Sequence, residues 1–214
     1  MASAIEKPLL IYSDIETDTF QATKILQIAA ITENGDVFNV HLNPNTDLPL
    51  HCTNITGLYF YRGNLYKNGR LVPSIPIKRG LREFKRWLQS FNKPIHLIYH
   101  NGFSFDAKII VKQFLKHSIK FPVNVLNIHD TLPAFRKELV EISDHRLATL
   151  AKFNKIELTN AHDALADSVA LKEICEAFVK TKPIDIYDFL NLYVKPVDFF
   201  TKKELEKLNK NEPK

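Results

Sequence analysis

Cysteine is scarce in this chain of 214 residues. Cys52 and Cys175 stand far apart and match no zinc or redox spacing. A disulfide framework is therefore not expected, and a reducing, intracellular compartment (nuclear or cytoplasmic) is. Six glycines and eleven prolines are too few for a collagen-like or low-complexity chain. No apolar run approaches the ~20 residues of a membrane span. The N-terminus carries Glu6 before its apolar stretch and Asp14 and Glu16 just after it, a poor pattern for a secretory signal. Internal repeats and long blocks of one charge sign are lacking too. What remains is an ordinary globular composition, 45% hydrophobic and 25% charged. At this length roughly 70% of the unfolded surface can be buried, so neither disulfides nor a structural metal is required. The net charge of +5, from 29 basic and 24 acidic residues, permits a polyanionic partner without requiring one.

Hydrophobic patterning gives the organisation. Leu9 to Asp14, Lys24 to Ile31 and Val37 to Leu42 read as strands, with Glu33-Asn34-Gly35-Asp36 turning between the last two. Asn-Gly at that place is a strong hairpin signal, so these three strands are expected to form an antiparallel meander. Residues Asn43 to Pro76 are irregular, with four prolines and the aromatic run Tyr59-Phe60-Tyr61, and read as a long surface connection. Ile77, Leu81, Phe84, Leu88 and Phe91 then recur at helical spacing, opposite a basic face that includes Lys78, Arg79, Arg82, Lys85 and Arg86. Strands are expected at Ile95–Tyr99 and Val123–Ile128, with a helix between them bearing Ile109, Ile110, Phe114 and Leu115. Helices over Asp144–Phe153 and Asp163–Val179 complete the core. This order implies an α/β fold, a mixed five-stranded sheet flanked by helices. Residues 1–180 make up that domain. Residues 181–214 form a helical extension, docked through Ile184–Leu192 and Phe199–Leu208 and frayed at its end.

Chemistry concentrates in three places. Asp14 and Glu16 lie two apart at the end of the first strand, so their carboxylates share one face. Alone, such a pair is commonly just a polar strand end. Asp106 opens the helix after the next buried strand, where a carboxylate also suits the helix dipole. His162 and Asp167 lie five apart, ~140° around an ideal helix. They converge only if His162 precedes the helix, in a segment where Asp163 is the natural N-cap.

The combination is more specific than its parts. Asp14-Ile15-Glu16-Thr17, His100-Asn101-Gly102-Phe103-Ser104-Phe105-Asp106 and His162-Asp163-Ala164-Leu165-Ala166-Asp167 resemble, in order and approximate separation, the three motifs of the DEDDh 3′–5′ exonucleases. The resemblance runs from about Leu9 to Val179. Gln27-Ile28-Ala29-Ala30, Asn54-Ile55-Thr56-Gly57-Leu58 and Asp130-Thr131-Leu132 agree with it. Asn-Ile-Thr-Gly-Leu and His-Asn-Gly point to the three-prime repair exonucleases. A weaker similarity is to the exonuclease-like terminal region of promyelocytic leukaemia protein, carried by Gln27–Ala30, Leu81–Ile98 and Leu147–Ala151. That region lacks the catalytic acids, whereas this chain has all five residues.

The resemblance implies a ribonuclease H-like fold and a site of Asp14, Glu16, Asp106 and Asp167 holding two Mg²⁺ or Mn²⁺ ions. Clustered carboxylates repel by about 4 kcal/mol per pair at ~4 Å and an effective dielectric of 20, so cations or protons must compensate. Oxygen-only ligands suit those ions and not zinc. Two ions can activate water and stabilise the leaving 3′-oxygen. Asp14 is expected to bridge the ions and Asp106 to serve the second, with Glu16 and Asp167 beside the attacking water. His162, whose type titrates near neutrality, would be the general base. Thr17 would reach the terminal sugar, Leu58 would wedge at the terminal base, and Asn101 would lie against substrate. Asp18 departs from the small residue usual after such a motif. Tyr59, Phe60, Tyr61 and Tyr66, interleaved with Arg62 and Lys67, could stack on a single strand or cover the core. His51, Cys52 and Cys175 read as structural. The adjacent pairs His129-Asp130 and Asp144-His145 do not match the third motif. The expected partner is nucleic acid, DNA in preference to RNA, without a membrane and compatibly with a homodimer. Alternatives on the same fold are a catalytically silent binding module and an RNA-directed exonuclease.

Overall fold

A computed structural model of the protein describes residues 7–19, 24–158 and 162–210. Its first strands, β1 (Leu9–Thr17), β2 (Ile25–Thr32) and β3 (Val37–Asn43), form the expected antiparallel meander. Gly35 takes a φ of 98° in the β2–β3 turn, a conformation open to glycine at no steric cost.

The stretch from Asn43 to Pro76 corrects the sequence reading. It folds into helix α1 (Leu50–Thr56), a separate three-stranded sheet of β4 (Leu58–Tyr61), β5 (Asn64–Lys67) and β6 (Arg70–Val72), and the short strand β7 (Ser74–Pro76). Its strands are only three or four residues long, too short for a clear alternation. Helix α2 (Ile77–Gln89), strand β8 (Ile95–Tyr99), helix α3 (Asp106–Lys116) and strand β9 (Val125–Asp130) follow. Then come α4 (Thr131–Glu138), α5 (Leu147–Phe153) and α6 (Ala164–Thr181). The expected five strands form the centre of the main sheet, and two three-residue strands extend it to seven. Its order is β10-β9-β8-β1-β2-β3-β7, where β10 is Val194–Pro196.

Alternation along β1 divides the core. Leu9, Ile11 and Ile15 join a cluster with α2 and α3, including Leu81, Phe84, Ile110 and Phe114. Leu10 and Tyr12 face the other way, against Leu150, Leu171, Ile174 and Phe178 of α5 and α6. Asp14 and Glu16 continue the even-numbered register. Ala29 stands opposite Asp14 in β2, and Ser168 of α6 donates a hydrogen bond to the Ala29 carbonyl at 3.4 Å. Small residues on β2 thus let α6 approach the sheet.

After α6 come α7 (Ile186–Asn191), β10 and α8 (Val197–Lys210). Phe189 and Leu190 are buried in the α5–α6 cluster, while Val197 and Phe200 join the α3 cluster. Residues 211–214, where fraying was expected, lie outside the described residues. Among the described residues, no helix is long and apolar enough to cross a membrane.

Candidate active site

β1 and β8 are parallel, so their carboxyl ends emerge on one edge of the sheet, the usual location of sites in such sheets. There Asp14, Glu16, Asn101, Asp106, His162 and Asp167 line a single open cleft of about 290 Å³, with Ile15, His100 and Phe105. One ligand atom each from Glu16, His162 and Asp167 lies within 4.8 Å of the other two. All five residues singled out for chemistry meet there, drawn from a strand, two helix starts and a turn.

Each is positioned by a local device. Asp106 begins α3 after a turn in which Asn101 has a φ of 65°. The Asp130 carboxylate holds that turn, accepting the backbone N–H groups of Asn101 and Phe103 at 2.9 Å each and that of Leu132 at 3.1 Å. His100 is fixed by Thr131 Oγ1 and the His145 carbonyl, each 2.8 Å from a ring nitrogen. Burial lowers its pKa to about 4, so its ring is neutral and structural. Gly102 is required by close approach, because a Cβ there would lie 2.4 Å from the Tyr99 Cβ.

His162 sits just outside α6 in a left-handed conformation, φ 65°, which L-residues adopt at an energetic cost. Its backbone N–H donates to Asp167 Oδ2 at 3.2 Å, which places the exposed ring beside the carboxylate. Asp163 caps α6 by accepting from Leu165 N and Ala166 N at 3.1 and 3.3 Å. Gln27 anchors the same terminus to β2, its Oε1 accepting the Ala164 N–H at 3.2 Å. Lys67, from the small sheet, pairs with Asp163 Oδ2 at 2.6 Å.

The electrostatics match a site that takes up cations. Burial first, then the charges of Asp106, Glu16 and Asp167, push Asp14 well above the ordinary carboxylate range. Burial and Asp167 raise Glu16 to about 8, with Lys67 opposing. Asp106 rises to about 7 by burial, against backbone amides that favour its charge. Burial lifts Asp167 to about 6. Carboxylates raised in this way gain from a cation placed beside them, and the four of them, as oxygen donors, fit Mg²⁺ or Mn²⁺.

A second hollow of about 210 Å³ adjoins the cleft, sharing Ile15, Glu16, Phe105 and His162 and adding Thr17, Asp18, Thr19, His51, Cys52, Ile55 and Thr56. Thr17 is there as expected, its hydroxyl donating to the Thr19 carbonyl at 3.0 Å. Leu58 is not. It is fully buried with Leu26, Cys52 and Leu65, because β4 turns it under the small sheet, and it cannot wedge against a base. Ile55, 44% exposed, is the apolar side chain of that segment that lines the hollow. The Asn-Ile-Thr-Gly-Leu segment contained it, but only the helix phase of α1 tells which of its two apolar residues faces out. Tyr59 and Tyr66 stack on one another at 5.1 Å across β4 and β5. Asp18 closes its own loop, accepting the Lys24 N–H at 2.9 Å. His129 and His145 are buried and bonded to the carbonyls of Leu190 and Leu139, away from the cleft.

The chain is also similar to known proteins in family and fold. A family model described as exonuclease matches residues 11–175. Exonuclease DPD1, chloroplastic/mitochondrial, of Arabidopsis thaliana is 27% identical over 195 residues, aligning 85% of this chain with 59% of that protein. DNA polymerase III PolC-type of Bacillus subtilis (strain 168) is 28% identical over 200 residues, aligning 87% of this chain with 13% of that protein. The chain thus spans less than two thirds of either relative. E. coli exonuclease I, solved in complex with a dA16 oligonucleotide, superposes with a TM-score of 0.65 at 20% identity, covering 86% of this chain and 43% of that one. At that identity the likeness is one of fold, the ribonuclease H-like arrangement.

Proposed function

The chain belongs to the exonuclease family, and on that premise we propose that it is a metal-dependent 3′–5′ exonuclease. Its products are nucleoside 5′-monophosphates, released from the 3′ ends of single-stranded DNA or frayed duplexes in preference to RNA. The observation that carries this reading is the convergence of Asp14, Glu16, Asp106, Asp167 and His162 on one cleft.

Two Mg²⁺ or Mn²⁺ ions held by the four carboxylates supply, when bound, the positive charge that activates water and neutralises the scissile phosphate. The chain's own residues do the rest. His162 is exposed at the rim and accepts the proton of a water lying between Glu16 and Asp167. Its backbone tether to Asp167 keeps the ring at that place while leaving it free to turn toward solvent and discharge the proton. Thr17 and Ile55 bound the adjoining hollow, which receives the terminal nucleoside, its apolar wall meeting the base. The two cysteines are buried as free thiols, consistent with a reducing intracellular setting.

The test is a 5′-labelled single strand incubated with Mg²⁺ or Mn²⁺, in parallel DNA and RNA versions. A ladder shortening from the 3′ end with release of 5′-mononucleotides, abolished by EDTA, is the expected result. Binding without any release would instead favour a silent module, and faster loss of the RNA would reverse the substrate preference.

A further inference from the structure

The C-terminal segment carries chemistry that the catalytic cleft does not use. Lys195 of β10 places its ammonium 4.5 Å from the centre of the Phe103 ring and 4.4 Å from that of Phe199. Lys203, one turn further along α8, lies 5.7 Å from the Phe199 ring. Lys108 lies on α3, the helix that packs against α8. Among the described residues, Lys108, Lys195 and Lys203 form no ion pair, whereas Lys207 is held by Glu204 at 2.5 Å. Phe199 is 39% exposed although large and aromatic. The acids of α8 are Asp198, exposed in its first turn, the buried Glu204 and the exposed Glu206.

Position gives the patch its meaning. Phe103 belongs to the turn that delivers Asp106, and its N–H is held by Asp130. Its ring packs on Phe200 at 5.7 Å between centres, so the extension is joined to the catalytic turn itself. Lys108 is two residues beyond Asp106 on the same helix. The patch therefore lies against the turn that delivers Asp106. Unpaired lysines repel one another and gain from a polyanion, and an exposed ring offers a face to a base. A cation–π contact leaves an ammonium's remaining N–H donors available to phosphate oxygens.

We propose that Lys108, Lys195, Lys203 and Phe199 form a track for the nucleotides upstream of the scissile bond, lysines on the phosphodiesters and Phe199 against a base. The C-terminal extension is in this way part of the substrate-binding surface. This rests on the exonuclease reading for the direction of the strand, though not for the existence of the surface.

The experiment measures binding in EDTA, so that no cleavage intervenes, of 5′-fluorescein oligothymidylates of about 12 and about 3 nucleotides. Lys195→Gln/Lys203→Gln is compared with wild type, and Lys203→Glu and Phe199→Ser, both at exposed positions, guard against a folding defect in the double variant. The expected result is ~10-fold weaker binding of the longer strand, a shallower salt dependence, and less than about twofold change for the shorter one. Unchanged binding of the longer strand, or equal weakening of both, overturns the track. Mononucleotide release by the wild type with Mn²⁺ is scored separately. If release is absent while long-strand binding still depends on the patch, the exonuclease reading fails and the surface stands. If release is normal and the variants bind the long strand as wild type does, the surface alone fails.

Discussion

Lys67 Nζ lies 2.6 Å from Asp163 Oδ2, joining the small sheet to the first turn of the helix that carries Asp167. The side chains are 18% and 22% exposed, so the pair is screened less than a surface salt bridge. Lys67 also favours the charged forms of Glu16 and Asp167. Asp163 simultaneously caps α6, so the contact fixes both the start of the helix and the place where His162 leaves it.

Substituting Lys67→Gln removes the ion pair but leaves the cap. Stability is expected to fall by about 1–3 kcal/mol in urea denaturation. Mononucleotide release is expected to require more divalent cation, because Glu16 and Asp167 then hold their protons more tightly. Asp163→Asn should reproduce the loss of the ion pair, and a Lys67→Gln enzyme with wild-type metal dependence would separate the small sheet from the site.

The metal-free protein should lose stability steadily as pH rises from about 4 to 8. Glu16, Asp106 and Asp167 have folded-state pKa values raised to about 8, 7 and 6. The folded state then binds more protons than the unfolded one, and this contribution, full below pH ~4, is lost as pH rises through 6 to 8. His100 and His129, both lowered by burial to about 4, act with the opposite sign. Their contribution is present above pH ~6.5 and lost as pH falls toward 4. These two groups offset only part of the slope set by the three carboxyls, so denaturation in EDTA across pH 4.5 to 8.5 is expected to show stability falling by about 1 kcal/mol per pH unit. Asp106→Asn should flatten that fall, and Mn²⁺ should do so in the wild type.

A buried histidine chain gives a separate prediction. His129 Nδ1 is 2.9 Å from the Leu190 carbonyl, His129 Nε2 is 2.9 Å from His96 Nδ1, and His96 Nε2 is 3.1 Å from Asn127 Nδ2. Each contact has one donor and one acceptor only if both rings are neutral: His129 donates to Leu190, His96 donates to His129, and Asn127 donates to His96. His129→Phe leaves the Leu190 carbonyl and His96 without their partner. It is expected to cost about 1–3 kcal/mol and to steepen the fall of stability with pH below about 6.5, where its opposing contribution is lost. An unaltered slope there would assign that contribution to His100 alone.

Gly102→Ala tests the catalytic turn. The added methyl would meet buried Tyr99 at 2.4 Å, so the turn or the ring must shift. A loss of about 1–3 kcal/mol in stability is expected, together with a fall in activity larger than the stability loss explains, since Asp106 follows four residues later. Full activity at unchanged stability would show that the turn is more plastic than its packing implies.

Much of this was legible in the sequence for physical reasons. β8, bounded by Pro94 and the Asn101-Gly102 turn, matches its expected limits, because punctuation and a continuous apolar run coincide there. The five catalytic candidates could be identified because together they resemble three motifs of a known family; taken singly, Asp14 with Glu16, Asp106, and His162 with Asp167 read as a strand end, a helix start and a capping segment. Three- and four-residue strands carry no clear periodicity, and so β4–β7 and β10 were not legible. Helix α4 was missed because Asp130 serves both as the end of β9 and as the N-cap of α4, leaving no loop between them. Leu58 and Ile55 are both apolar members of one motif, and only the tertiary packing of α1 and β4 decides which reaches the hollow.

The most direct test of the central claim is single-turnover release of 5′-mononucleotides from a single-stranded DNA in saturating Mn²⁺, comparing wild type with Asp14→Asn and His162→Ala at matched circular-dichroism spectra. The expected result is a loss on the order of 10³-fold for Asp14→Asn. For His162→Ala the account predicts a fall of about 10²-fold or more in the rate of the chemical step with little change in strand affinity. Release by Asp14→Asn within tenfold of wild type would contradict it.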